Sequence, residues 1–183
     1  MHEKRFDPGK IDKLRSAERI GMLEIPRTLA MSLENHDIQS ILDIGTGSGL
    51  FAEAFSLNGK QVSAIDINHF MLQVAHRYSS DTNYAQAEME ATPFADRSFD
   101  LVFLGLVLHE TDHLVQVLKE AARLAKKRIA IYEWPYIENP QSGPPLEHRL
   151  SPEAIQKMAV AAGLKTVEIC PFIQMMMYRI EME

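Results

Sequence analysis

Two spacings of apolar residues alternate along this chain. Short, mostly apolar runs at 41–44, 62–67, 99–105 and 128–134 predict buried strands, with a shorter one at 84–87. Between them the apolar residues recur every three or four positions, as a helix burying one face requires. Leu50, Phe51, Ala54 and Phe55 form one such face, ending at Asn58-Gly59. Met71, Leu72, Ala75 and Tyr78 form the next, behind a capping Asn68. Leu114, Val117, Leu118, Ala121 and Leu124 make the clearest helix, with Thr111 or Asp112 as its cap. Ser151-Pro152-Glu153 opens another, with Ile155, Met158, Ala159 and Ala162 inward and Gly163 as its stop.

The ends of the chain depart from this alternation. Residues 6–10 read as a turn, Ile11 to Ile20 as a loosely amphipathic helix, and Pro26 as a helix start with Leu29, Ala30 and Leu33 inward. Residues 135–150 hold four prolines and a glycine and read as a loop. Two strands, 164–170 and 173–182, finish the chain. The link around Pro171-Phe172 is too short for a helical crossover, so these two pair antiparallel. The expected fold class is therefore α/β: a seven-stranded, mostly parallel sheet with helices on both faces. Residues 1–183 then form one domain, with 1–37 a helical cap and 38–183 the sheet core.

In such sheets ligands bind beyond the carboxyl ends of the strands. Asp43 to Gly49, Asp66, Ala87-Glu88 and Gly105 to Glu110 all fall there. The turn Asp43-Ile44-Gly45-Thr46-Gly47-Ser48-Gly49 places its third glycine one residue earlier than a dinucleotide loop does. Asp43 stands directly before it and would repel a pyrophosphate at reduced dielectric. A ligand carrying an ammonium and a sulfonium meets the opposite situation, and S-adenosylmethionine (SAM) has that charge pattern. Asp66 suits a ribose diol, which SAM and NAD share.

Composition narrows the class. The net charge of −6 argues against a nucleic-acid partner, and no stretch approaches the ~18 apolar residues of a membrane span. The single cysteine, Cys170, excludes an intrachain disulfide and suits a reducing compartment. Residues Met1 to Arg5 lack the apolar run of a signal peptide, so the expected location is the cytoplasm.

The glycine turn resembles the D-x-G-x-G-x-G motif of class I SAM-dependent methyltransferases. The run from Ala87-Glu88 through Pro93-Phe94, Asp96 and Ser98-Phe99-Asp100 to Val102 is similar to their A-E-x-x-x-x-P-F-x-D-x-S-F-D-x-V segment. The resemblance spans residues 38–182 and is nearest the small methyltransferase-domain group related to quinone C-methyltransferases. It implies a Rossmann-like sheet of order 3-2-1-4-5-7-6 with the last strand antiparallel. It also implies SAM as cofactor, held by Asp43, Gly45, Thr46, Gly47, Gly49 and Asp66. Adenine contacts are implied near Ile67, Asn68, Ala87, Glu88 and Met89, with Leu104, Gly105 and Leu106 completing the site. Many relatives carry two histidines after strand four, where this chain has His109-Glu110.

The expected activity is methyl transfer to a small-molecule acceptor. The alternatives are a non-catalytic SAM-binding partner subunit and an NAD-dependent oxidoreductase. His109, Glu110, Tyr132 and Glu133 are the candidates for a base, and Tyr132 and Trp134 for an acceptor pocket. The N-terminal helices and residues 135–150 are expected to form a lid. His109-Glu110-Thr111-Asp112-His113 also spells H-E-x-x-H, but that zinc signature needs one continuous helix and here straddles a strand end, so no metal is expected.

Overall fold

The structure, a computed structural model, describes residues 11–138 and 142–183. The turn expected at 6–10 and the first five residues lie outside them.

Seven strands form one sheet in the order β3-β2-β1-β4-β5-β7-β6. They are β1 (Ser40–Ile44), β2 (Gln61–Asp66), β3 (Asn83–Gln86), β4 (Phe99–Gly105), β5 (Ala125–Glu133), β6 (Glu168–Pro171) and β7 (Met176–Glu181). β1 to β5 pair parallel, while β7 runs antiparallel to both β5 and β6, as the short link at Pro171 requires. Helices α1 (Ile11–Leu14), α2 (Ala17–Met22) and α3 (Ile25–Leu33) precede the sheet. α4 (Leu50–Leu57), α5 (His69–Tyr78), α6 (Leu114–Leu124) and α7 (Pro152–Ala161) connect its strands.

β4 shows why the strands read as mostly apolar runs. Leu101 and Phe103 enter the core under α3 and α4, while Val102 and Leu104 enter the core under α6 and α7, all four fully buried. A sheet covered on both faces needs apolar residues at every position. Met175 and Met177 lie in the first of these cores. Cys170 is buried beside them, and burial pushes its thiol up.

Several local expectations need correction. The first helix breaks in two at Ser16, whose hydroxyl caps α2 by accepting from the Arg19 amide. On α3 the buried residues are Thr28, Leu29 and Ser32, whereas Ala30 is exposed. The two hydroxyls can be buried because each donates to a carbonyl of its own or the preceding turn: Thr28 to Leu23 O, Ser32 to Thr28 O. Tyr78 faces outward, its ring 3.5 Å from the Arg15 guanidinium carbon. Neither Thr111 nor Asp112 caps α6; that position belongs to His113, without a side-chain bond.

Buried arginines tie α3 to the sheet. Arg128 on β5 donates to Ser32 O at 2.9 Å and pairs with Glu181 at 2.6 Å. Arg179 on β7 donates to Met31 O and pairs with Glu34 and Glu168. These bonds hold the last turn of α3 against β5 and β7, while Leu14, Arg19 and Leu23 lie at the end of the sheet where β1, β2 and β4 finish.

Candidate functional site

At those strand ends lies a cavity of about 1290 Å³. Its floor is the turn after β1. Gly45 has φ +68°, and a Cβ there would stand 2.2 Å from Val107 Cγ2, so only glycine fits. Gly49 has φ +77°, and its Cβ would stand 2.6 Å from Ala75 Cβ; this glycine lets α4 and α5 pack rather than touching the cavity. The turn closes on itself through Gly49 N–H to Thr46 O and is tied to β2 by Thr46 N–H to Ile65 O, both 2.9 Å.

Asp66, at the end of β2, accepts the Gly47 amide on one carboxylate oxygen and the Asn68 amide on the other, both at 2.8 Å. It stands half-exposed on the cavity wall. Burial raises its pKa, and these two amides pull it back. Asp43 sits beneath the turn and is not part of the wall. It is 2% exposed and accepts the Thr46 hydroxyl at 2.7 Å. Burial lifts its pKa to about 7 against that hydroxyl, and the carboxylate of Asp66 adds to the lift.

The other expected binding residues divide between wall and core. Ile67, Asn68, Ala87, Glu88 and Met89 line the cavity on one side, and Gly105 and Leu106 on the other. Leu104 is fully buried in the core and does not reach it.

Of the four candidate bases, only Glu110 lines the cavity. It ends a short 3-10 turn, Leu108–Glu110, that follows β4. Burial lifts its pKa to about 7; His109 opposes this, Asp66 and Glu133 add to it, and Arg19 opposes it. Glu133, 1% exposed, is occupied behind that turn: it accepts from the His109 ring at 2.8 Å and from the amides of His109 and Trp134. Burial alone would lower the His109 imidazolium, but the facing Glu133 outweighs it and the pKa stands raised. Tyr132 is fully buried and donates to Leu23 O at 2.9 Å; burial pushes its hydroxyl far up. His109 and Glu133 thus position Glu110, and Tyr132 positions Leu23, itself on the wall.

Residues 109–113 do not share a helix: the 3-10 turn ends at Glu110 and α6 begins at Leu114, so the H-E-x-x-H spelling lacks its geometry. The two segments expected to form a lid differ in whether they reach the cavity. Leu14, Arg19 and Leu23 from the N-terminal helices reach the wall, but no described residue of 135–150 does, nor does Trp134. That loop is instead held by Arg149, which donates to the carbonyls of Pro135, Ser142 and Pro144. Arg19, His113 and Gln116 line the cavity without having been expected to. Isolated polar residues on helix ends carry no periodic signal that would have marked them.

The segment after β3 is pinned from outside the cavity. Glu120 accepts the amide and hydroxyl of Thr92 at 2.8 and 2.7 Å and two bonds from Arg123. Arg123 also donates to Phe94 O and Asp96. These bonds, led by those from Arg123, hold Glu120 down at about 2 against an ordinary 4.5. A depressed carboxylate stabilises the fold fully above its unfolded pKa and loses that contribution as pH falls toward the folded one. The urea midpoint should therefore drop between pH 4.5 and 2, and Glu120→Gln, measured by the same titration, should be less stable at pH 7 with a flatter acid limb.

The charges around the cavity favour a cationic ligand. Asp43, Asp66 and Glu110 crowd one end with raised pKa values, and among the described arginines only Arg19 reaches the wall. Arg15, nearest the glycine turn, is already bound to Ser48 O and Glu53. A pyrophosphate would find turn amides but also this acidic cluster; a sulfonium with an ammonium would relieve the repulsion.

Comparison with known proteins agrees with this geometry. Residues 42–131 match the family described as methyltransferase domain. A malonyl-[acyl-carrier protein] O-methyltransferase of Enterobacter lignolyticus is 35% identical over 86 residues, covering 47% of this chain and 34% of that protein. A ubiquinone/menaquinone biosynthesis C-methyltransferase of Hahella chejuensis is 36% identical over 113 residues, covering 55% of this chain and 45% of the relative. The chain thus spans less than half the length of these two relatives. The crystal structure of a SAM-dependent methyltransferase from Aquifex aeolicus superposes with a TM-score of 0.88 at 24% identity, covering 98% of this chain and all of that one, and shows the shared fold. Residues 42–131, just under half of the chain, thus carry the methyltransferase-domain match, and the strand order agrees with it.

Proposed function

We propose that this protein binds SAM in the cavity at the ends of β1, β2 and β4 and transfers its methyl group to a small-molecule acceptor. The observation that carries the reading is the convergence of the Gly45–Gly47 turn, Asp66 and Glu110 on one acidic cavity. In this reading Asp66 takes the ribose diol with the lone pairs its two amide bonds leave free. Ile67, Asn68, Ala87, Glu88 and Met89 hold the adenine, and Gly45, Thr46 and Gly47 face the methionine end, with Gly105 and Leu106 opposite. Asp43, Gly49 and Leu104 act from behind, by holding the turn and the strand ends.

Bound there, SAM supplies an already activated methyl group. The chain's own work is to align the acceptor and exclude water, which Leu14, Arg19 and Leu23 do from the N-terminal side. A small molecule is the acceptor this reading assigns to the cavity, whose wall these N-terminal residues share. No helix among the described residues is long and apolar enough to cross a membrane; the cytoplasm is the proposed place of action.

Parallel thermal-shift titrations with S-adenosylhomocysteine and NAD test the reading. Stabilisation by S-adenosylhomocysteine and none by NAD is expected; stabilisation by NAD alone would overturn it.

A further inference from the structure

Arg19 helps to wall the cavity, but its charge has no partner in the methyl-transfer scheme above. It belongs to α2, a helix with no buried residue, yet burial lowers the pKa of its guanidinium. The guanidinium carbon lies 5.7 Å from the centre of the Trp134 ring, and the side chain makes no hydrogen bond or ion pair with any described residue. Arg149 approaches the same ring but has three carbonyl partners, and Arg15 has its carbonyl and carboxylate. A partly dehydrated guanidinium with its donors unused is an anion site awaiting its anion.

Glu110 lines the same cavity. The two groups attract one another, but they do not close into an ion pair. His109, Asp66 and Glu133 are the other charged groups that act on Glu110. A fixed cation and a carboxylate that can take up a proton near neutrality therefore share one space.

We infer that Arg19 and Glu110 form the acceptor subsite, and that the acceptor carries an acidic hydroxyl, of the phenol or enol class, whose oxygen sits between them. This rests on the methyl-transfer reading. Glu110 takes the hydroxyl proton, and Arg19 holds the resulting oxyanion. An electron pair of that anion, on oxygen or on the conjugated carbon, forms the bond to the methyl carbon as the methyl–sulfur bond breaks with its pair going to sulfur. The proton then leaves Glu110 for solvent. Other acceptor classes fit less well. An ammonium would be repelled by Arg19. A carboxylate is already ionised at neutral pH, needs no base and would be repelled by Glu110; the carboxylate of the methyl donor meets the same repulsion.

The probe is 4-nitrophenol, whose phenolate absorbs in the visible, titrated into protein saturated with S-adenosylhomocysteine. Wild type should bind it saturably with a phenolate spectrum. Arg19→Gln should weaken it by about tenfold, the loss of one charge-assisted hydrogen-bonded pair, with S-adenosylhomocysteine affinity kept within about twofold. Glu110→Gln should bind the phenolate at least as tightly as wild type, since a neutral amide ends the carboxylate repulsion. Absence of saturable binding, or an Arg19→Gln variant that binds like wild type, overturns the inference. So does an Arg19→Gln variant that loses S-adenosylhomocysteine instead, which gives the guanidinium to the donor's carboxylate. Failure of wild type to bind S-adenosylhomocysteine would strike the methyl-transfer reading, whereas the outcomes above strike only the acceptor subsite.

Discussion

Asp66→Ala is expected to lower the affinity for S-adenosylhomocysteine by about a hundredfold. The carboxylate offers two hydrogen bonds to a ribose diol, and bonds to a charged acceptor contribute about 1.5–3 kcal/mol each. Losing both costs about 3 kcal/mol or more, which is two decades in Kd. The variant also frees the amides of Gly47 and Asn68, both bound to that carboxylate at 2.8 Å, and so loosens the turn that faces the methionine end. Global stability should change little, because burial already penalises the ionised carboxylate in the free protein. Calorimetric titration of variant and wild type, beside their urea midpoints, separates a binding defect from a folding defect. An affinity within about threefold of wild type (roughly 0.6 kcal/mol) would remove Asp66 from the binding role.

Gly45→Ala should cost about 2–5 kcal/mol of stability. A left-handed residue with a Cβ costs about 1–2 kcal/mol, and forcing a methyl into a filled space about 1–3 kcal/mol more. Here the new Cβ would lie 2.2 Å from one Val107 methyl carbon and 2.7 Å from its Cβ. Removing those methyls tests the mechanism: Gly45→Ala/Val107→Ala should lie closer to Val107→Ala than Gly45→Ala lies to wild type. The residual difference is the backbone strain. Equal losses in both backgrounds would show that Val107 is not the obstacle.

The strands, their pairing and the glycine turn were legible because each is written in a repeating pattern. β4 reads as a run because both its faces are buried, and the antiparallel β6–β7 pair follows from a link too short for anything else. Legibility failed where a side chain's place is decided by a hydrogen-bond partner that no spacing marks. Thr28 and Ser32 look like solvent positions until their local carbonyl bonds are seen. Glu133 looks like a site residue because it is an acid at a strand end, yet it serves His109 from behind. Tyr132 likewise turns its hydroxyl to Leu23, 109 residues away. Arg19 is the reverse case, a wall residue on a short polar helix that no spacing distinguishes from surface. The segment from Pro93 to Asp100 carried the family resemblance, and much of it is structural. Asp96 pairs with Arg123, and Asp100 accepts the amides of Gln39 and Ser40 at the start of β1.

Asp43 changes its meaning most. Its place before the glycines suggested direct contact with a cationic ligand, but it lies under the turn, bonded to Thr46 and held near neutrality by burial. A cation bound above would draw it toward its ionised form, so it acts through the turn and through its field. Its field and that of Asp66 make the same demand on the ligand: positive charge at the methionine end.

A crystal structure of the protein grown with S-adenosylhomocysteine tests the central claim most directly. The account predicts the ribose hydroxyls on the Asp66 carboxylate, the adenine between Ile67 and Met89, and the homocysteine against the Gly45–Gly47 turn below Leu14 and Arg19. Density for the ligand elsewhere on the molecule, or a cavity without it at saturating concentration, would contradict it.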